Sequence, residues 1–229
     1  MTSMIGVDQA YNKVRKELAD VGLLSEGFYL DHIEVCIAEA PSNGVAGYLF
    51  EDATGWKRAG YRPGVIYLPS DLPYIEHVPG ATLMDTIRHE YAHAWYCTDP
   101  EFFRDSWFVK TFGATYNNCN PKPRKSWQRQ LHRSRRYNLA KNRCRTERGR
   151  TRLMECAFRE QFITDYAATC ACEDFAETFM FYLKYRNSLS RFENRPAVMR
   201  KLRSVERAVS RASRRLHIVN TDQWKVRWA

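Results

Sequence analysis

The sequence predicts an α+β fold: a small mixed sheet of short strands, one of them at an edge, followed by helices. Three patterns predict it. Ile33, Val35 and Ile37 alternate with His32, Glu34 and Cys36, the period of a half-buried strand. The apolar run Val65–Leu68 lies between Pro63 and Pro69, which suits an edge strand, because proline cannot donate to a ladder. Further along, apolar residues recur every three or four positions, the spacing of helices that bury one face.

Taken in order, Tyr11, Val14, Leu18 and Val21 predict an opening amphipathic helix with Asp8 as its cap. The strand around Ile33–Ile37 follows, with lone His32 read as a surface residue. Val45–Phe50 and Arg62–Pro69 are the second and third strands. Pro79-Gly80 breaks the chain, and Thr82 with Asp85 reads as a capping-box variant. Leu83, Ile87 and Ala94 then give one apolar face to a helix from about Thr82 to Tyr96. Phe175, Phe179, Tyr182 and Leu183 do the same for a later helix. Val198, Leu202, Val205, Val209, Ala212 and Leu216 form a heptad-like seam on a basic helix at about 196–216, with Pro196 at its start. Packing of that seam on the domain is the preferred reading, with Trp224 and Trp228 as packed anchors beyond it.

Length and composition bound the rest. At 229 residues, 44% of them hydrophobic, the chain can form one substantial core, and residues 1–229 are read as a single domain. No apolar run of about 18 residues marks a transmembrane helix. Met1–Gly6 shows no basic and apolar leader, and the seven cysteines lack disulfide-like spacing apart from Cys170-x-Cys172. Reduced thiols and a cytoplasmic location are the expectation.

His89-Glu90-Tyr91-Ala92-His93 is an HExxH pattern. On a helix its two histidines stand about 40° apart around the axis and roughly 6 Å along it. Both imidazoles can then reach one tetrahedral Zn²⁺. Glu90 follows the first of them, so its carboxylate can take a proton from a water activated at the metal.

A catalytic zinc keeps three protein ligands. Glu173 and Glu177 share one helix face at i and i+4, where like charges repel unless a cation or histidines compensate. Zinc on Glu173, with Glu177 bonded to a ligand histidine, would compensate them. A solvated acidic face is the ordinary reading of such a pair, but Phe175, Ala176 and Phe179 surround it with apolar residues. Asp99, six residues after His93, is the competing third ligand. That placement needs a sharp turn at glycine, and Tyr96 stands there instead. Ligation by Cys36, Cys97, Cys170 or Cys172 is a third option.

HExxH followed by Tyr166-x6-Glu173-x2-Ala176-Glu177 resembles the gluzincin arrangement of the anthrax lethal factor-like and related zinc-binding metallopeptidases. The resemblance spans roughly Val65 to Arg186 and is strongest around His89–His93 and Tyr166–Phe179. It implies a zincin-like fold, with a motif helix and a second helix bringing the third ligand. It implies His89, His93 and Glu173 as zinc ligands, Glu90 as general base and Glu177 behind a ligand. It also implies Tyr166 as a hydroxyl donor to the tetrahedral intermediate. Many members carry Asn-Pro where this chain has Cys170-Ala171, which affects the local turn.

The expected activity is zinc-dependent hydrolysis of peptide bonds in a peptide or protein substrate. Val65, Ile66 and Tyr67 are candidate substrate-binding residues, through a free strand edge that an extended peptide could join. Net charge is +10, and Lys122–Arg152 concentrates it: thirteen Lys and Arg against Glu147 alone. A basic insertion at about 120–152 follows, resistant to core packing. It is read first as solvated and partly helical, with His132 as one more surface group. It could instead contact nucleic acid, with Trp127 and Tyr137 stacking on bases, or steer acidic substrates. The alternative function is a nucleic-acid-binding protein in which zinc is structural or the protease only tethered.

Overall fold

The computed structural model describes residues 6–24, 29–38, 47–48, 64–69, 81–117 and 123–216; most are helical, with a small sheet near the N-terminus. Helix α1 (Val7–Asp20) buries Ala10, Val14 and Leu18, one turn apart on one face. Gly6 is its N-cap, and Asp8 lies in the first turn rather than at the cap. The helix ends in a Schellman closure, with Leu23 N–H donating to Leu18 O and Gly22 N–H to Ala19 O. Gly22 has φ 76°, and a Cβ there would meet Ser213 Oγ at 2.1 Å, so conformation and close approach of the last helix both require glycine.

Strand β1 (Glu34–Ala38) pairs in parallel with β3 (Val65–Pro69), in the register Glu34 to Val65 through Ala38 to Pro69. Strand β2 (Gly47–Tyr48) pairs with β3 antiparallel, opposite Tyr67 and Ile66. The sheet is therefore mixed, in the order β1-β3-β2. This corrects the edge-strand expectation: β3 is central. Pro69 is its last residue, where a missing N–H costs no interior ladder bond, so the proline did not mark an edge. Val65, Ile66, Tyr67 and Leu68 are all buried. Of the expected second strand only Gly47 and Tyr48 are described; Val45 and Phe50 lie outside the described residues, as do Pro63, Lys122, Trp224 and Trp228.

Helix α2 (Leu83–Thr98) starts at the expected capping box. Thr82 Oγ1 accepts from Asp85 N–H, and Asp85 Oδ2 accepts from Thr82 N–H. Every residue from Asp85 to Ala92 is buried, so this helix runs through the interior. An ionic knot fixes its position. Arg88 donates to Glu17 on α1 at 2.7 and 2.6 Å and to Asp85 at 2.6 Å, and Lys184 donates to Asp85 at 2.6 Å. The charges of this buried group are thus paired, which is the condition for tolerating them there.

Short helices α3 (Pro100–Arg104) and α4 (Ser106–Phe112) fold aromatic residues under Trp95. Its ring stacks on Phe102 and meets Phe103, Phe175 and Phe179. Helix α8 (Ala171–Tyr185) packs along α2 and is almost wholly buried. Helix α9 (Pro196–Leu216) lays its seam, Val198, Leu202, Val205, Val209 and Ala212, against α8 and α4.

Between α4 and α8 the basic segment folds into α5 (Pro123–Arg133), α6 (Arg135–Arg143) and α7 (Glu147–Gln161). Its aromatics point inward. Trp127 packs on Phe158 and Phe162, and Tyr137 donates to Met154 Sδ at 3.7 Å. The segment is solvated and helical, but it does pack, which corrects the expected resistance to the core. A few apolar anchors suffice because Lys and Arg keep their heads in water. No helix among the described residues is long and apolar enough to cross a membrane.

Candidate metal centre

The buried helices α2 and α8 bring the two halves of the sequence pattern together. His89 Nε2 lies 3.0 Å from His93 Nε2 and 3.1 Å from Glu173 Oε2. His93 Nε2 lies 3.4 Å from the same oxygen. These three atoms outline a small triangle. In a tetrahedral site with ligands at about 2.0–2.2 Å, ligand atoms stand about 3.3–3.5 Å from one another. The triangle is close to that size, slightly contracted, and its donors are two imidazoles and a carboxylate. That donor set fits zinc. Among the described residues no fourth side chain joins the group.

Both histidines are oriented from behind. His89 Nδ1–H donates to Glu177 Oε1 at 2.7 Å, which leaves Nε2 as the acceptor that faces His93 and Glu173. Glu177 is fully buried, and its other oxygen accepts from Thr164 Oγ1 at 2.7 Å. Thr164 Oγ1 in turn accepts from Ala167 N–H at 3.1 Å, so the turn before α8 braces the carboxylate. On the other side His93 Nδ1 bonds the Tyr116 hydroxyl at 2.5 Å, and Tyr116 stacks on Tyr96 with ring centroids 3.6 Å apart.

The electrostatics favour positive charge at this point. Burial works against a charged His89, yet Glu173 and Glu177 outweigh it and raise the imidazole well above its ordinary value. Burial likewise opposes an ionised Glu173, and bonds from His89 and His93 outweigh it, holding the carboxyl well below the usual range. A proton or a metal ion satisfies both demands.

Glu90 is buried on α2, and its charge is felt by His89, Tyr116 and Tyr166. Tyr166 opens the short 3₁₀ turn Tyr166–Ala168, with its ring centroid 5.7 Å from that of His89. Burial first, then the charges of Glu173 and Glu90, raise the phenol, so it stays protonated and able to donate.

The remaining candidates fall away from the triangle. Asp99 caps α3, accepting from Phe102 N–H at 3.3 Å, and pairs with Arg215 at 3.4 Å. Burial pushes the Cys97 thiol up to about 12, so it remains neutral. Cys170 and Cys172 form a separate group on the far oxygen of Glu173, their sulfurs 2.8 Å apart and Cys172 Sγ 4.0 Å from Glu173 Oε1. Val65, Ile66 and Tyr67 are buried in the sheet centre, and β2 already occupies the edge at Ile66 and Tyr67. Their proposed role as a free edge for substrate loses its premise.

Two participants escaped the sequence reading. Tyr116 follows the αL turn at Gly113, far from either motif, and carries no local signal. Thr164 precedes Tyr166 by two residues, and a threonine before a short turn reads only as a turn former. No known protein family, curated protein or solved structure matches the chain.

Proposed function

We propose that this chain is a zinc-dependent metallopeptidase of zincin fold, with His89, His93 and Glu173 as the zinc ligands. The convergence of those three donor atoms, with Glu177 behind one of them, is the observation that carries the reading. The resemblance of both motifs to the lethal factor-like gluzincins agrees with it. Three protein donors favour a catalytic over a structural site, since structural zinc sites take four.

Zinc held there would supply Lewis acidity, making a water more acidic and a carbonyl more electrophilic. Glu90 takes the proton of the attacking water and then passes it to the leaving amine. Tyr166 stays protonated beside His89 and donates a hydrogen bond to the oxygen on which charge develops. Glu177 and Thr164 keep His89 in one tautomer throughout. The substrate class is a peptide or protein amide.

The test is zinc-loaded wild type against Glu90→Gln on an unstructured protein substrate such as denatured casein. Bound zinc should be equal and turnover lower by about 10²–10⁴-fold in the variant. Cleavage at the wild-type rate by Glu90→Gln would remove the assigned base, and absence of bound zinc in both would remove the metal.

A further inference from the structure

A groove of about 770 Å³ opens between α4 and the first three turns of α9, lined by none of the candidate metal ligands. Its walls carry Lys110 from α4 and Arg200, Arg203 and Arg207 from α9, all exposed, with Glu193 the acid at its rim. Its floor is built and neutral. Thr111 and Ser204 hydroxyls bond each other at 2.7 Å, and Lys201 is fixed by Asp174 at 2.5 Å and Gln161 O at 2.9 Å. The walls are different. Arg203 pairs with Glu206, whereas Lys110, Arg200 and Arg207 have no ion-pair partner among the described residues.

Spacing makes the wall cations a row rather than a scatter. Arg200, Arg203 and Arg207 fall within about 60° of one another around the helix and extend about 10 Å along it. One strand of a duplex places a phosphate every 3.4 Å of axis, so the row spans about three phosphates. Guanidinium forks match phosphate oxygens in pairs. Concave walls focus the field of like charges that would otherwise only repel. Helix α7 packs on α9 and supplies Gln161 to the groove; it exposes Arg152 and Arg159 together with Glu155 and Glu160.

Among the described residues no aromatic lines the groove, and Trp127 and Tyr137 are buried. A base leaving its stack therefore gains no partner here, while a duplex offers the higher density of phosphates. We propose that this groove binds the phosphate backbone of double-stranded nucleic acid without reading its sequence. Because neither α4 nor α9 supplies a metal donor, the site stands independently of the peptidase reading.

The test is fluorescence anisotropy of a labelled duplex of arbitrary sequence, about 20 base pairs long, titrated from about 50 to 200 mM salt. The combined variant Lys110→Ala/Arg200→Ala/Arg207→Ala is compared with Arg135→Ala/Arg136→Ala/Arg143→Ala, which removes the same charge from the exposed face of α6. The groove variant should lose at least about tenfold in affinity and about 2.7 from the log–log salt slope, the value for three phosphate contacts. The α6 variant should lose clearly less. Arg200→Glu alone should reproduce the direction of the groove result, and thermal midpoints near wild type establish folding. Equal losses in the two triple variants would overturn the groove in favour of diffuse charge. Competition by polyglutamate as effective, charge for charge, as unlabelled duplex would overturn it in favour of an acidic protein partner.

Discussion

The α2–α8 pair and the basic flank of α5–α7 and α9 treat charge in opposite ways. Around α2 and α8 the charged groups are buried or half-buried and bonded to one another: Asp85 with Arg88 and Lys184, Arg88 with Glu17, Asp174 through Oδ2 with Lys201, His89 with Glu173 and Glu177. On the flank most cations are exposed, Lys201 excepted, several with no ion-pair partner among the described residues, and stability comes from inward anchors such as Trp127 and Phe158. The difference teaches where position matters. A buried charge must be held within hydrogen-bond distance of its partner, so its neighbours fix geometry to the precision that metal binding and catalysis need. An exposed cation contributes field and tolerates motion. Substitutions in the first region should therefore be severe and specific, and those in the second mild and cumulative.

The largest contrast is in catalysis. Tyr166→Phe should lower peptide turnover markedly with bound zinc and unfolding midpoint unchanged, because it deletes one hydroxyl aimed at the developing oxyanion. A steady-state comparison at equal zinc content checks this, and an unaffected kcat would remove Tyr166 from the mechanism. Next in size is the ionic knot. Arg88→Ala leaves Asp85 and Glu17 without their guanidinium, and removing one partner of such a buried set typically costs about 3–5 kcal/mol. Arg136→Ala on the exposed face of α6 should stay within about 0.5 kcal/mol. Urea unfolding of the two variants measures the comparison directly, and equal effects would break it.

A smaller effect is expected one layer behind the metal. Glu177→Gln and Thr164→Val should each weaken zinc binding by about 10–100-fold, the usual consequence of disturbing the partner of a ligand histidine. Competition with a chromophoric chelator reads this out. By the same assay Asp99→Ala, which loses only a helix cap and a half-exposed ion pair, should bind zinc as wild type does. Tight binding in Glu177→Gln with weak binding in Asp99→Ala would reverse the assignment of roles.

The same contrast decides what was legible in the sequence. Patterns that act within one helix were readable. Thr82 and Asp85 cap α2 as expected, and α9 runs from Pro196 to Leu216 as its seam required. The i, i+4 pairs His89–His93 and Glu173–Glu177 do turn toward each other across α2 and α8, because 3.6-residue periodicity fixes which side chains share a side. Relations between distant segments were not readable. Nothing local to Tyr116 or Thr164 announces that one supports His93 and the other Glu177. Pro69 suggested an edge strand because proline statistics say where a donor is dispensable, and a strand's last residue satisfies that as well as an edge does. Trp127 and Tyr137 looked like stacking platforms among cations, but a helix of nine to fifteen residues needs some buried face, and these aromatics supply it.

Two histidines and a carboxylate, with no thiolate, are proposed to hold one zinc ion. Zinc K-edge X-ray absorption of the reduced protein loaded with one equivalent of zinc tests it most directly. Nitrogen and oxygen scatterers fall at about 2.0–2.2 Å and sulfur at about 2.3 Å, so the two donor groups that share Glu173 are distinguishable. Two imidazole nitrogens with oxygen completing the shell are expected, with loss of that spectrum in His93→Ala. A sulfur shell that disappears in Cys170→Ser would contradict it, and would move the metal to the cysteine side of Glu173.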